Sequence, residues 1–236
     1  MAGLAWIDTP LVQLVLIPGL TEPVPKAGSG EVLPHSRKGL LATFNSGFKN
    51  VDGHGGFISN GHTYVSPKPG LGTIAVYRSG KVAIGSWERE IQPSSHITYL
   101  RQNLPLIVDH GRPNPATNNS YLWGTTVGNA VRVWRSGIGI DAHGGLIYAA
   151  GDGVTARGLA DLLARAGAIR GMELDINSYW VNLFTYGAPG GGAPSKLLST
   201  MTRSKYRYLS PDERDFFALF SNDTKTHTGA QYKKKT

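Results

Sequence analysis

Short apolar runs that end at turn-forming residues dominate this 236-residue sequence. Its 31 Gly and 14 Pro interrupt the apolar segments at intervals typical of β-rich domains with many turns. A chain of this length buries one sizeable core and fits one large domain better than two small ones. The sequence therefore predicts an α+β fold, in which a strand-rich core of mixed or antiparallel sheet carries a few helices within a single domain.

Several of the predicted strands can be placed directly. They cover residues 11–17, 40–44, 73–78, 81–84, 104–108, 138–141 and 146–150. The pair Ser79-Gly80 predicts a tight hairpin. Near the C-terminal end two alternatives stay open, because Ser210-Pro211-Asp212-Glu213 has the spacing of a helix N-terminus whereas residues 215–220 fit a last strand equally well.

The clearest helix signal lies between residues 155 and 167. Thr155 can cap the first turn, and Gly167 is a typical residue just past a helix end. The apolar positions recur with helical spacing at Leu159, Leu162, Leu163 and Ala166. We therefore predict one amphipathic helix here, followed by a short turn.

The segment from Gly171 to Asn177 predicts a strand that ends in two carboxylates. Glu173 and Asp175 are two residues apart, so in a strand they point to the same face. A buried strand that ends in charge normally ends at water, and we expect both carboxylates to line a cleft. The alternative is an ordinary solvated strand end.

The composition limits the chemistry. The absence of cysteine rules out disulfides, a thiolate nucleophile and cysteine-ligated zinc. The histidines are scattered, so we expect no metal site and no cofactor; Asp52 and His54 suit a polar loop better than a cation site. We also expect no transmembrane segment and no signal peptide, which leaves a cytoplasmic location open.

The net charge of +8 is unevenly distributed. Residues 221–236 hold four lysines against one aspartate, and we predict a basic, disordered tail that follows a folded domain at residues 1–220. The other positive charges are spread without a basic helix, so we expect no specific nucleic-acid partner. An excess of Arg and Lys also suits an anionic substrate.

A set of motifs between about residues 40 and 186 resembles the phosphodiester glycosidase domain family, especially its bacterial, actinobacterial-type branch. The motifs occur in family order: Phe44-Asn45-Ser46-Gly47-Phe48, Gly55-Gly56-Phe57, the Ser79-Gly80 hairpin, Asn103 to Gly111, Trp134 to Asp141, and Met172-Glu173-Leu174-Asp175. The resemblance implies a hydrolase that cleaves a sugar-1-phosphodiester, with a glycosyl phosphodiester or anionic glycopolymer as substrate. It further implies an extracytoplasmic or secreted protein that acts on a surface or cell-wall glycoconjugate.

The resemblance and the chemistry together give a set of candidate catalytic residues. Arg135 would hold the phosphate, since its planar fork matches two phosphate oxygens; the alternative is an Arg that ties a strand to a neighbouring carboxylate. Asp175 would act as nucleophile, base or stabiliser of the oxocarbenium-like transition state. Glu173 would be the second carboxyl or an orienting group.

Four further residues are candidates for substrate binding. Asn45 would bond a sugar hydroxyl or a phosphate oxygen, or else complete a turn before Gly47. Gly47 would supply a backbone conformation rather than a contact. Asn177 adds amide donors, and Trp180 would stack on a sugar ring or pack at the edge of the core.

One departure from the family falls at the site itself. The family usually has Leu-Asp-Gly-Gly-Gly-Ser where this chain has Leu174-Asp175-Ile176-Asn177-Ser178. Ile176 does not readily adopt the positive φ available to glycine, so we expect a different turn. The competing hypothesis is therefore a carbohydrate- or anionic-glycopolymer-binding module that kept the fold without catalysis.

Overall fold

The computed structural model describes residues 1–124 and 129–222. Within these ranges the strands form three sheets in which neighbouring strands are antiparallel. Two α-helices accompany them, α1 at Asn50–Gly53 and α2 at Ala156–Arg165. The predicted α+β class and single strand-rich domain are confirmed. The predicted tail at residues 221–236 lies outside the described residues, apart from its first two positions.

The strands follow one another along the whole described chain. In chain order they are β1 Ala2–Ile7, β2 Val12–Ile17, β3 Leu40–Asn45, β4 Phe57–Ser59, β5 His62–Val65, β6 Gly72–Tyr77, β7 Val82–Ser86, β8 Ile97–Gln102, β9 Val108–Asp109, β10 Arg112–Pro113, β11 Val133–Ile140, β12 Leu146–Val154, β13 Arg170–Glu173, β14 Leu183–Ala188, β15 Gly192–Lys196 and β16 Phe216–Ser221. Short 3₁₀ turns lie at Thr9–Leu11, Pro34–Ser36, Pro115–Asn118, Ser120–Trp123, Pro189–Gly191 and Arg207–Leu209.

The three sheets collect strands from distant parts of the chain. The first has the order β1-β12-β11-β13-β9-β10, the second β15-β14-β3-β16-β2 and the third β5-β4-β8-β6-β7. Side chains from all three sheets meet in the main core, for example Phe44, Phe217, Tyr148 and Ile74. The rings of Phe44 and Phe217 stack with centroids 5.2 Å apart, which joins β3 to β16. One continuous core therefore fixes how the strand ends of different sheets face one another.

Helix α2 covers the other face of the first sheet. Ile147 and Ala149 of β12 pack there against Leu159 and Leu163, whereas the intervening residues of β12 enter the main core. Gly139 of β11 allows this close approach, since a Cβ at that position would lie 2.6 Å from the Cβ of Ala168. The helix is capped as predicted, with the hydroxyl of Thr155 accepting a hydrogen bond of 2.9 Å from the Gly158 N–H.

Most of the predicted strands are confirmed, and one is wrong. The strands at 11–17 and 40–44, the Ser79-Gly80 hairpin and the 138–141/146–150 pair all form. Residues 104–108 do not form a strand, because Pro105 has no N–H for the ladder and pairing begins only at Val108. At the C-terminal end the strand alternative is correct, as β16.

Among the described residues, no helix is long and apolar enough to cross a membrane.

Candidate active site

An open pocket of about 700 Å³ lies where the ends of two strands meet the beginning of a third. Phe48 follows β3, Asp175 follows β13, and Arg214 precedes β16. Strands β16 and β3 are antiparallel with Phe216 opposite Asn45, so the residues before β16 and those after β3 are neighbours. The remaining lining residues are Lys49, Val51, Asp52, Leu104, Tyr121, Leu122, Gly124, Ile176, Asn177 and Trp180.

Asp175 places a largely buried carboxylate in the pocket wall, with 4% of the residue exposed. Its Oδ2 accepts a hydrogen bond of 3.1 Å from Arg214 Nη2, and its Oδ1 accepts one of 3.0 Å from the Asn177 N–H. Burial raises the pKa of Asp175 above its ordinary value, while the charge of Arg214 and the N–H groups of Asn177 and Ile176 act against that rise. These contacts hold the carboxylate in one orientation.

Arg214 is the cation that contacts Asp175 in this pocket. Besides Asp175, its Nη2 donates a hydrogen bond of 2.7 Å to the carbonyl oxygen of Gly47. Its guanidinium lies over the ring of Trp180, 5.0 Å from the centroid. The Nε atom is buried and has no hydrogen-bond partner among the described residues. Sequence reasoning missed this residue, because the segment before β16 was interpreted only for its capping pattern.

A usable signal for Arg214 was present in the sequence. Asp212 to Asp215 form a charged run directly before the apolar strand β16. The argument that placed charge at the end of a buried strand near water applies equally to charge at the start of one. Applied there, it would have indicated Arg214 as a further candidate for a cleft, without showing which residue it contacts.

A second layer of buried charge supports the pocket from behind. Arg101 donates to Asp215 Oδ2 at 3.0 Å and also to the carbonyl oxygen of Phe48. Glu22 accepts a 2.8 Å hydrogen bond from the Asn50 N–H at the start of α1, the short helix that presents Asp52 to the pocket. Burial raises the pKa of Glu22. These contacts fix the loop after β3 and the helix next to it.

Glu173 and Arg135 lie behind the pocket instead of lining it. The expectation that both carboxylates reach the cleft is right for Asp175 and wrong for Glu173, because β13 ends at Glu173 and its side chain is fully buried. Arg135 Nη1 binds Glu173 Oε1 at 2.6 Å and the Trp123 carbonyl at 2.9 Å. Arg135 is also fully buried and has the geometry of the alternative, an Arg that ties a strand to a carboxylate.

Burial has a strong effect on the Glu173 carboxyl. Desolvation raises the pKa of Glu173 to about 7, although the charge of Arg135 and its hydrogen bond act in the opposite direction. The Oε2 atom has no hydrogen-bond partner among the described residues. Asn103 anchors the same strand end, since its Nδ2 donates to the carbonyl oxygens of Glu173 and Leu174 at 2.9 Å each.

The candidate substrate-binding residues divide into two groups. Asn45 is buried, accepts from Tyr148 Oη at 2.8 Å and donates to Ser136 Oγ at 3.0 Å, so its amide is used within the protein. Gly47 contributes its carbonyl to Arg214. Asn177 is exposed and Trp180 half-buried, and both line the pocket beside Asp175.

The turn after Asp175 differs from the glycine turn of the family. Ile176 is buried, lines the pocket and lies outside the set of residues with positive φ. Its Cδ1 would be only 2.8 Å from a Cβ placed on Gly124. The branched side chain therefore occupies space at the pocket wall that glycines would leave empty.

The chemistry available to the pocket is that of one oriented carboxylate beside one guanidinium, with an aromatic ring at the edge. A second carboxyl, Asp52, is exposed on α1. Within the described ranges, no group of three or more His, Asp or Glu side chains is arranged to hold a metal ion. An acid next to a cation suits attack at a carbon that bears a phosphate leaving group.

The sequence matches the family model for phosphodiester glycosidases over residues 38–175. The fold is similar to that of the zebrafish N-acetylglucosamine-1-phosphodiester alpha-N-acetylglucosaminidase catalytic domain, auto-inhibited by its pro-peptide. The TM-score is 0.56 at 15% identity, over 94% of this chain and 83% of that one. No curated protein matches the sequence significantly.

A second solved structure shares the fold. It is a hypothetical protein from Synechocystis, with a TM-score of 0.57 and 16% identity, and the match covers 93% of this chain and 59% of that one. The family match spans more than half of this sequence, from just before β3 to Asp175. The chain therefore belongs to the phosphodiester glycosidase family.

Proposed function

We propose that this protein hydrolyses a sugar-1-phosphodiester bond, on a surface or cell-wall glycoconjugate outside the cytoplasm. The observation that carries the proposal is the pairing of Asp175 with Arg214 in the pocket wall, at an Nη2 to Oδ2 distance of 3.1 Å. This pairing places a carboxylate that can act at the anomeric carbon and a guanidinium that can bind the phosphate within one site.

The reaction breaks the bond between the anomeric carbon and the phosphodiester oxygen. The leaving phosphate monoester takes the bonding electron pair, and water supplies the new oxygen on the sugar. A phosphate monoester is a good leaving group, so neutralising its charge matters more than protonating it. We assign that task to Arg214, because its guanidinium lines the pocket beside Asp175 and carries a positive charge.

Arg135, the phosphate ligand that the sequence analysis suggests, takes a different part in this proposal. Its guanidinium is buried and bonded to Glu173, Trp123 and Val154. We propose that Arg135 and Glu173 act together as positioning residues. They hold the end of β13, and through it Asp175, in place.

Asp175 acts in this scheme as nucleophile, as general base or as the charge that stabilises the oxocarbenium-like transition state. Glycosidases of the usual type use two carboxyl groups. We propose Asp52 as the second, since it lines the pocket while Glu173 does not. Trp180 is half-buried at the edge of the pocket and offers apolar contact to a sugar, and Asn177 offers an amide for its hydroxyl groups.

The second candidate function is binding without turnover. Two observations favour it: Ile176 fills the place of a family glycine, and both oxygens of Asp175 already accept a hydrogen bond. In this alternative the pocket holds a carbohydrate or an anionic glycopolymer, and Arg214 is a permanent counter-ion of Asp175.

Hydrolysis in water enriched in ¹⁸O tests the proposal and identifies the bond that breaks. The substrate is an α-linked N-acetylglucosamine-1-phosphodiester, and the products are analysed by mass spectrometry. We expect the label in the sugar, as required for cleavage of the bond between carbon and oxygen. A label in the phosphate would indicate a phosphodiesterase that cleaves the bond to phosphorus. If no product forms but the substrate binds saturably, the binding module is favoured.

A further inference from the structure

Three guanidinium groups surround the indole ring of Trp180 at the edge of the pocket. Arg207, Arg214 and Arg203 lie 4.9, 5.0 and 5.5 Å from its centroid. Arg203 also lies over Tyr179, at 4.3 Å, and the rings of Tyr179 and Trp180 meet edge to face at 4.9 Å. We call Tyr179, Trp180, Arg203 and Arg207 the basic strip.

One buried carboxylate holds the arginines of the strip in place. Asp212 accepts hydrogen bonds of 2.7 Å from Arg203 and of 2.9 and 2.8 Å from Arg207. Burial acts to raise the pKa of Asp212, but the hydrogen bonds and charge of Arg207 outweigh it, and the pKa is lowered overall. Asp212 is therefore ionised at neutral pH and orders the guanidinium groups in advance.

The strip and pocket have more positive than negative charge. Within the described ranges, the three arginines Arg203, Arg207 and Arg214 form ion pairs with two carboxylates, Asp212 and Asp175. The other charged residues that line the pocket, Lys49 and Asp52, offset each other. Lys205, which lies 5.6 Å from the ring of Tyr206, follows in the same segment of chain. This surplus favours an anionic ligand next to the pocket.

Two donors in this region have no partner within the described structure. They are Nη1 of Arg207 and Nε of Arg214, in residues that are only 4% and 5% exposed. Buried N–H groups of arginine are normally hydrogen-bonded, so two such donors around one ring call for an explanation. These buried donors add to the positive potential around Trp180, which favours an anionic ligand beside it.

The aromatic members of the strip complement these charges. Tyr179 is 47% exposed, and Trp180 is half-buried and shared with the pocket. Exposed aromatic rings beside guanidinium groups suit a ligand in which sugar rings alternate with phosphates, because the rings can stack and the fork can bind phosphate oxygens. Tyr179 and Arg203 do not line the pocket itself.

We propose that the basic strip is a second subsite, which binds the next anionic repeat of a polymeric glycosyl phosphodiester while Asp175 faces the first. This inference rests on the proposed function and specifies its substrate as a polymer rather than a monomeric sugar phosphodiester. Trp180 lies between the two subsites, and Arg203 and Tyr179 contact only the second repeat.

Binding of uncleavable analogues tests the subsite independently of hydrolysis. The probes are C-glycosyl phosphonates of N-acetylglucosamine, in which a CH₂ group replaces the anomeric oxygen, with one repeat and with four repeats. We expect calorimetry on the wild-type protein to give at least tenfold tighter binding of the four-repeat probe. Arg203→Gln and Tyr179→Ala should each remove most of this gain, so that each variant binds the four-repeat probe little more tightly than the one-repeat probe.

The matched control is Arg157→Gln, which changes an exposed arginine on α2 that pairs with Asp161. It should bind both probes as the wild type does. Equal affinity of the wild type for the two probes would overturn the proposed subsite. So would a length advantage, meaning tighter binding of the four-repeat probe than of the one-repeat probe, that survives in both strip variants. Failure of hydrolysis with the length advantage intact would overturn the proposed reaction and leave the subsite standing.

Discussion

Arg214 Nη2 lies 3.1 Å from Asp175 Oδ2, although the two residues are 39 positions apart in the chain. The same nitrogen binds the carbonyl of Gly47 at 2.7 Å. One guanidinium thereby joins the loop after β3, the loop after β13 and the start of β16. Because the contact depends on the antiparallel pairing of β3 with β16, the sheet itself orients the carboxylate in the pocket.

Replacing Arg214 by lysine should abolish most of the activity while the protein stays folded. Lysine keeps the charge but lacks the planar fork that can hold Asp175 and a phosphate at once. We expect kcat/KM for a sugar-1-phosphodiester to fall by about 100-fold or more, the range seen when one transition-state donor is removed. Arg157→Lys, on the exposed face of α2, is the control and should leave kcat/KM unchanged. Full activity of Arg214→Lys would disprove the phosphate role.

Asp52→Asn tests whether the pocket uses a second carboxyl. The amide keeps the size of the side chain but cannot accept a proton, so kcat should fall by about 100-fold, within the range of general acid–base catalysis. KM should change little, since the side chain is not assigned to binding. Asp152→Asn, which changes an exposed aspartate in β12, is the matched control. A kcat equal to that of the control would exclude Asp52 from the chemistry.

The Glu173 carboxyl should give the stability a distinctive pH dependence. Its pKa in the folded protein is raised to about 7 from its ordinary value of 4.5, so the folded state binds more protons than the unfolded state between these values. The contribution of Glu173 to the free energy of unfolding is therefore fully present below pH 4.5 and is lost as the pH rises through 7.

Glu173→Gln removes this titration. Urea unfolding of both proteins from pH 4.5 to 8 gives the free energy of unfolding of each. The value for the wild type minus the value for the variant should decrease as the pH rises. A group that does not interact with Glu173, such as Asp212, titrates in both proteins and cancels in the difference. A difference that is constant with pH, or one that increases, would contradict the raised pKa.

Gly139→Ala should destabilise the packing of α2 on the first sheet. The new Cβ would lie 2.6 Å from the Cβ of Ala168, so the backbone has to move, and overpacking of this kind typically costs about 1–3 kcal/mol. Gly187→Ala in β14 is the control, because its Cβ would meet Ala193 at an ordinary 3.6 Å. Denaturant unfolding should give a lower free energy of unfolding for Gly139→Ala than for Gly187→Ala. Equal free energies would show that α2 tolerates the added methyl group.

Local features of the fold could be predicted from the sequence because their signals are local. The cap at Thr155, the turn at Ser79-Gly80 and the alternating strands each depend on a few adjacent residues. The strand predicted at 104–108 from its apolar content is wrong, because Pro105 lacks the N–H that strand pairing needs. The arrangement of three sheets depends on pairings between distant strands, which no local pattern specifies.

The candidate site was predictable to a similar extent. The acidic strand end located Asp175, Asn177 and Trp180 at the pocket, because a charged end of a buried strand tends to reach water. The spacing of two residues could not reveal that Glu173 turns to Arg135, since that depends on where β13 ends. Arg214 could not be paired with Asp175 without knowing that β16 lies beside β3.

The most direct test of the central claim is the release of free sugar from α-linked N-acetylglucosamine-1-phosphodiesters by the wild-type protein and by Asp175→Asn. We expect release by the wild type and a loss of turnover by orders of magnitude in the variant, with circular dichroism showing that the variant keeps its fold. Release at equal rates by both proteins would contradict the role of Asp175, and release by neither would contradict hydrolysis of this bond.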